Sequence, residues 1–217
     1  MKSLLLQQRI IRPRFRWPLP PEKAKTLLLA AYAAEVELRH GSMENDKCTD
    51  DNIERVARIL TAPNPKFGLL FCGVCGNGKT TMLRALQQAT NYLYNNGYFK
   101  HLFGDERVGI AIVDARDLAQ NISKDYTLFE KVRSRTLLAL EDVGREPTEV
   151  LDYGNVLNPV VDLLEYRYEQ QLFTVITTNL TPRELSEKYK QRIADRFREM
   201  LNVVVFENSS YRRQDTD

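Results

Sequence analysis

The 217 residues are 43% hydrophobic and 28% charged, with 31 lysines and arginines against 29 aspartates and glutamates and a formal net charge of +2. That composition excludes a disordered chain and has room for one α/β domain with a modest extension. No apolar run approaches the roughly 18 residues that span a bilayer, and the opening Met-Lys-Ser-Leu-Leu-Leu is too short for a signal-peptide core; a cytoplasmic protein without membrane contact is expected.

From the N-terminus, Lys2, Arg9, Arg12, Arg14 and Arg16 are interleaved with Phe15 and Trp17 and no acid intervenes. Two readings of this tail stand side by side: a grip on nucleic acid or a protein partner, and a solvated tail. Pro21 opens a helix expected to run to about His40, with Ala24, Leu27, Leu28, Ala31, Ala34 and Leu38 on one face and Gly41 as its stop. Gly41 to Lys47 reads as a polar linker, which divides a partner-binding extension, residues 1–46, from a core, residues 47–217. Thr49 is expected to cap a second helix whose buried stripe is Ile53, Val56, Ala57 and Leu60, ended by Pro63 and Pro65. The cysteines at 48, 72 and 75 lack zinc-type spacing with His40 and His101 and read as reduced thiols.

Beyond Pro65, strand and helix patterns alternate. Strands are expected at Leu69 to Cys72, Val108 to Val113, Thr136 to Leu140, Phe173 to Thr177 and Val203 to Phe206. Helices are expected at Lys79 to Asn96, Ala115 to Lys131 and Pro159 to Glu169, then as a pair, Pro182 to Lys188 and Gln191 to Leu201. Thr181-Pro182-Arg183-Glu184 forms a capping box. Five short apolar strands separated by helices imply an α/β fold, a parallel sheet sandwiched by helices.

Between the first of those strands and its helix, Gly73-Val74-Cys75-Gly76-Asn77-Gly78-Lys79-Thr80 matches the phosphate-binding P-loop pattern G-x-x-x-x-G-K-[ST] at every fixed position. By average residue frequencies such a match arises by chance in fewer than about one chain in a hundred of this length. Glycines at 73, 76 and 78 let several backbone N–H groups converge on a polyphosphate. Lys79 reaches the β and γ phosphates, Thr80 completes a magnesium shell, and Thr81 follows in the first turn of a helix whose N-terminus favours anions. ATP and Mg²⁺ are the expected ligands, with Gly73 to Thr81 as the binding residues.

Hydrolysis requires further groups to hold the metal and orient water. Leu137 to Leu140 is an apolar strand that ends in Glu141-Asp142, the form of a Walker B element, whose acids are candidates for metal binding and catalysis. Phe173 to Thr177 runs into Thr178-Asn179; if that strand neighbours the phosphate-loop strand, Asn179 joins Lys79 and Asp142 at one sheet edge and can hold the attacking water or sense the γ-phosphate.

This ordered set resembles the AAA+ ATPases, in particular the DnaC-type helicase loaders and the IstB-type transposition helpers. The similar stretch runs from about Phe67 to Arg212 and includes Leu137 to Gly144, Leu164 to Glu169 before Thr177-Thr178-Asn179, Arg192-Ile193-Ala194-Asp195-Arg196, and Ser210-Tyr211-Arg212. The resemblance implies a P-loop AAA+ core without a C-terminal lid, since the chain ends five residues after Arg212. It also implies that Arg196 is an arginine finger for a neighbouring subunit's nucleotide in a homo-oligomer, and that Arg212 contacts the γ-phosphate. Pairing of Arg196 with Glu199 is the plain alternative. The family's acid pair usually begins with Asp, whereas Glu141 comes first here, so slow intrinsic hydrolysis is expected. The implied partners are ATP or ADP, a replicative helicase or a transposase, and single-stranded or duplex DNA, with Lys124, Lys131, Arg133 and Arg135 near the family's DNA contacts. An ATP-gated interaction module with negligible hydrolysis is the reading from another class.

Overall fold

The computed structural model describes residues 13–43, 46–104, 108–121, 126–152, 155–208 and 211, with backbone alone for 102, 121, 151–152, 155–156 and 190–192. The elements in chain order are α1 (Pro21–Glu37), α2 (Lys47–Thr61), β1 (Gly68–Gly73), α3 (Lys79–Asn95), α4 (Lys100–Phe103), β2 (Ala111–Asp114), α5 (Ala115–Asn121), α6 (Tyr126–Arg133), β3 (Leu137–Glu141), β4 (Val150–Asp152), β5 (Asn155–Leu157), α7 (Pro159–Glu169), β6 (Phe173–Thr178), α8 (Pro182–Met200) and β7 (Asn202–Phe206).

Five strands form one parallel sheet in the order β2-β3-β6-β1-β7. Side chains alternate across a strand, so a strand buried on both faces feeds two cores. Leu69 and Phe71 of β1, Ala139 of β3 and Val175 of β6 face α1, α2 and α3. Leu70, Leu138, Leu140 and Ile176 face Leu118 of α5, Phe129 of α6, Leu163 of α7, and Leu185 and Ile193 of α8. Among the described residues no helix is long and apolar enough to cross a membrane.

Several boundaries differ from those expected, each for a local reason. Helix α1 ends at Glu37 because His40 adopts a left-handed backbone (φ +56°) and Gly41 N–H closes the turn on Val36 O; Leu38 therefore lies outside the buried stripe and is 68% exposed. The cap of α2 is Asp46, whose carboxylate accepts from the Cys48 and Thr49 N–H groups, and Thr49 sits inside the first turn. Strand β2 starts at Ala111 rather than Val108 because its one neighbour, β3, offers Leu138 opposite Ala111 and only Leu137 before it. The expected helix pair from Pro182 is the single helix α8, because Leu185, Tyr189, Ile193 and Phe197 form an unbroken buried stripe. The expected helix Ala115 to Lys131 is two helices, α5 and α6, with residues 122–125 outside the described residues. The β4-β5 hairpin, too short to show a period, was not foreseen.

In the described part of the basic tail the two aromatic side chains pack inward, while Arg14 and Arg16 stay exposed. Phe15 and Trp17 are buried in the core under α1 and α2, the Phe15 and Phe173 ring centroids are 4.6 Å apart, and the Trp17 backbone N–H donates to Leu60 O at 2.7 Å. Arg14 lies over the Phe67 ring and bonds Pro65 O. Packing is thus continuous across the expected division at residue 46. Lys2, Arg9 and Arg12 lie outside the described residues.

Candidate nucleotide and catalytic site

Strand β6 lies between β1 and β3, so the C-terminal ends of three adjacent strands open on one edge. Cys72 of β1 is level with Thr178 of β6, and Leu140 of β3 with Ile176. That register brings the loop after Gly73, the segment after Thr178 with half-buried Asn179, and the Glu141-Asp142 pair to the same edge.

Gly73, Gly76 and Gly78 all have positive φ, at +149°, +82° and +94°, values that an L side chain strains to adopt. Gly78 caps α3, and Lys79 is the first residue of that helix. Lys79 is 6% exposed, and its ammonium donates to Gly73 O at 2.8 Å, Val74 O at 2.7 Å and Asn77 Oδ1 at 3.1 Å. Thr80, Val74 and Cys75 are exposed at the loop's outer rim.

Asn77 occupies a position where the pattern accepts any residue, yet it is 1% exposed. Its Nδ2 donates to Phe206 O at 2.6 Å while its Oδ1 accepts from Lys79. A Cβ on Gly73 would run into that amide and into the Phe206 carbonyl, so the first glycine of the pattern makes room for Asn77 and for β7.

The segment after β7 crosses the same loop. Tyr211 N–H donates to Gly76 O at 2.9 Å, and its hydroxyl donates to the Asp46 carboxylate beside Thr49 and Asn208. Burial, then the hydrogen bond to Asp46, pushes the Tyr211 phenol up to about 12, and the same bond holds Asp46 below the usual carboxylate range. A depressed carboxyl pKa contributes stability that is present above its unfolded value and lost as pH falls through the folded one. Tyr211→Phe is therefore expected to lower thermal stability at neutral pH and to shrink the further loss below about pH 4, as followed by melting temperature against pH. Arg212, the expected γ-phosphate contact, lies outside the described residues.

Both acids of the β3 edge are paired with arginines of this chain. Glu141 stands 3.5 Å from Arg84 of α3, so it faces the phosphate-loop helix, and Asp142 pairs with Arg145 at 2.8 Å. Asp142 is itself left-handed (φ +55°), its N–H donating to Thr177 Oγ1 at 3.1 Å, and Val143 N–H donates to Thr177 O at 2.9 Å. Behind this turn lies a buried carboxylate that sequence reasoning missed. Glu146 is 3% exposed; its Oε2 accepts from Gly144 N–H at 2.8 Å and its Oε1 from the Tyr189 hydroxyl of α8, whose phenol is raised by burial and then by that carboxylate. Lys188 adds bonds to the carbonyls of Gly144 and Glu146. The acid turn is thus tied to β6 on one side and to α8 on the other. In the sequence Glu146 is one of many charges, and no spacing marks it.

Among the described residues no three acid, histidine or cysteine side chains cluster as a metal cage. Thr80, Glu141 and Asp142, the residues expected to hold magnesium, carry the oxygen donors that this ion takes together with waters and phosphate oxygens. Bound there, Mg²⁺ would neutralise charge on the phosphates.

Arg196 projects from α8 onto α7. It pairs with Glu165 at 2.6 Å and with Glu169 at 3.9 Å, and lies over the Tyr168 ring. Glu199, the pairing partner considered from sequence, instead accepts from the Tyr168 hydroxyl. Any reach toward another subunit requires Arg196 to leave Glu165. Of the expected DNA contacts, Arg133 pairs with Glu130 and stacks on Tyr166, Lys131 and Arg135 are exposed, and Lys124 lies outside the described residues.

With this geometry in hand, solved structures share the architecture. The chain is similar to the crystal structure of the DnaC helicase loader at 20% identity and a TM-score of 0.57, over 76% of this chain and 93% of that one. It is similar to the crystal structure of DnaI at 21% identity and a TM-score of 0.58, over 90% and 95%. The fold is shared with these two proteins. AMPPCP-bound DnaA from Aquifex aeolicus shares it at 20% identity and a TM-score of 0.53, over 77% of this chain and 49% of that one. No family profile matches the sequence, and no curated protein matches it.

Proposed function

We propose that this chain is an ATP-binding, Mg²⁺-dependent AAA+ protein that loads or remodels a replicative helicase, hydrolysing ATP slowly on its own. The observation that carries the reading is the β3-β6-β1 order, which gathers the phosphate loop, Asn179 and the Glu141-Asp142 pair at one edge. The likeness to the DnaC helicase loader and to DnaI over most of each chain supports the loader role over a transposition helper. Binding of a nucleotide analogue by a structural neighbour agrees with ATP as the ligand.

In this mechanism Lys79 and the loop N–H groups hold the β and γ phosphates. Glu141, turned toward α3, and Thr80 take the metal side. Asp142 accepts the proton of the attacking water, and Asn179 orients that water. Asp142 must first exchange its Arg145 partner for the water. Arg196, released from Glu165, completes the site of a neighbouring subunit, and DNA engages exposed bases such as Lys131 and Arg135.

Asp142→Asn keeps the shape of the turn and removes the base. Its steady-state ATPase rate, at high protein concentration with single-stranded DNA, is expected to fall at least about 100-fold with ATP affinity unchanged. Equal rates for this variant and the wild type would remove the enzyme reading and leave an ATP-gated interaction module.

A further inference from the structure

The sequence sets α1 apart from the nucleotide-binding core, yet one face of α1 and its following turn lies along the phosphate loop. Tyr32, Glu35 and Arg39 recur at three- and four-residue spacing and share that face. Tyr32 is buried, and its hydroxyl oxygen stands 2.6 Å from where a Cβ on Gly78 would be, which closes the space beside the last glycine of the loop. Glu35, also buried, accepts from Gln88 of α3. Beyond the helix end, Arg39 Nη1 donates to Thr81 Oγ1 at 3.0 Å.

Thr81 belongs to the first turn of α3, where backbone N–H groups have no partner within the helix; Met82 N–H is already bonded to Gly78 O at 2.9 Å. In a phosphate loop with its lysine on the β and γ phosphates, the backbone N–H groups cradle the α and β phosphates. The Thr81 N–H, two residues after Lys79 in the first turn of the helix, is one of the groups available for that cradle. Arg39 brings a guanidinium with five donors to this position. Its carboxylate neighbour Glu35 stands 3.8 Å away, and its side chain is 47% exposed, open to a ligand.

We propose that Arg39 is a nucleotide-binding residue, a cation that the N-terminal extension supplies within the same chain to the α-phosphate of a bound nucleoside di- or triphosphate. The proposal rests on the phosphate-loop reading above. Its consequence is that α1 senses nucleotide directly, so a partner docked on the extension meets a different surface in the nucleotide-bound and empty states.

The test is equilibrium binding of ATP and of ADP to the full chain as wild type, Arg39→Gln, Arg39→Lys and Glu35→Gln, with thermal unfolding of each. Arg39→Gln is expected to weaken ATP and ADP equally, by about tenfold, because both carry the α-phosphate and one charge-assisted contact is lost. Arg39→Lys should restore part of that loss. Glu35→Gln frees Arg39 from its carboxylate and should tighten both ligands about twofold. Binding by Arg39→Gln within twofold of wild type would overturn the proposal. So would a parallel loss in Glu35→Gln and Arg39→Gln, which is the signature of a staple between α1 and α3. A wild type that binds neither nucleotide, indistinguishable from Lys79→Ala, would instead overturn the phosphate-loop reading itself.

Discussion

Lys79→Ala is expected to abolish ATP binding at concentrations where the wild type saturates, while the protein stays folded. The Lys79 ammonium is held by the carbonyls of Gly73 and Val74 and the amide oxygen of Asn77, which fix it within the loop and are the acceptors that phosphate oxygens replace. A hydrogen bond to a charged group is worth about 1.5–3 kcal/mol, and Lys79 serves two phosphates. Loss of both contacts costs about 3–6 kcal/mol, or a factor of about a hundred to about ten thousand in affinity at about 1.4 kcal/mol per tenfold. The carbonyls freed in the variant lie at the mouth of the loop, where water can replace the ammonium, so the melting temperature should move little. Titration calorimetry with ATP and Mg²⁺, beside a thermal melt, reads both quantities. Retained affinity, within fivefold of wild type, would sink the phosphate-loop assignment.

That prediction was legible in the sequence because the loop pattern is local: glycines with positive φ, one lysine and one hydroxyl within eight residues. The strand order was legible in part for a similar reason. Apolar strands separated by helices demand parallel pairing, and the placement of Asn179 between Lys79 and Asp142 followed once β6 was set beside β1. What stayed hidden was long-range. Asn77 sits where the pattern accepts any residue, and its role appears only when Phe206, more than a hundred residues later, lies beside it. Glu146 depends on Tyr189 in the same way, and Arg39 on Thr81. Charge read residue by residue does not reveal where the described part of the basic tail goes, whereas Phe15 and Trp17 anchor it in the core. Their large apolar surfaces outweigh the solvation of the neighbouring arginines, whose long stems let the charges reach water from a packed backbone.

Arg167 is a further case of hidden logic and carries the largest expected effect on stability. From the sequence it is a basic residue in a helix; in the fold it is fully buried, and its guanidinium spans the N-terminal ends of β3 and β6. Nε donates to Thr174 Oγ1 at 2.8 Å, Nη1 to the carbonyls of Arg133 at 2.9 Å and Arg135 at 2.7 Å, and Nη2 to Phe173 O at 2.6 Å. Burial drags the group down to about 9, which still leaves it charged at neutral pH. Its compensation comes from neutral acceptors in a fork geometry, an arrangement a lysine ammonium cannot reproduce. Arg167→Met keeps most of the volume but strands three carbonyls, at about 1–3 kcal/mol for each that water cannot reach, while the Thr174 hydroxyl keeps its bond to Leu172 O. Part of that returns because a buried charge is no longer desolvated, so a net loss of about 3–5 kcal/mol is expected. For a chain of this size that is a fall of roughly 10 °C in melting temperature, and chemical denaturation should show the same loss. Arg167→Lys should recover less than half of it. A methionine variant as stable as wild type would mean that these carbonyls find other donors and that the fork is dispensable. Because Arg167 acts at the edge of the sheet opposite the phosphate loop, the folded fraction of either variant should bind ATP with wild-type affinity. That outcome is the reverse of Lys79→Ala, and the pair of results separates the residue that holds the sheet from the residue that holds the ligand.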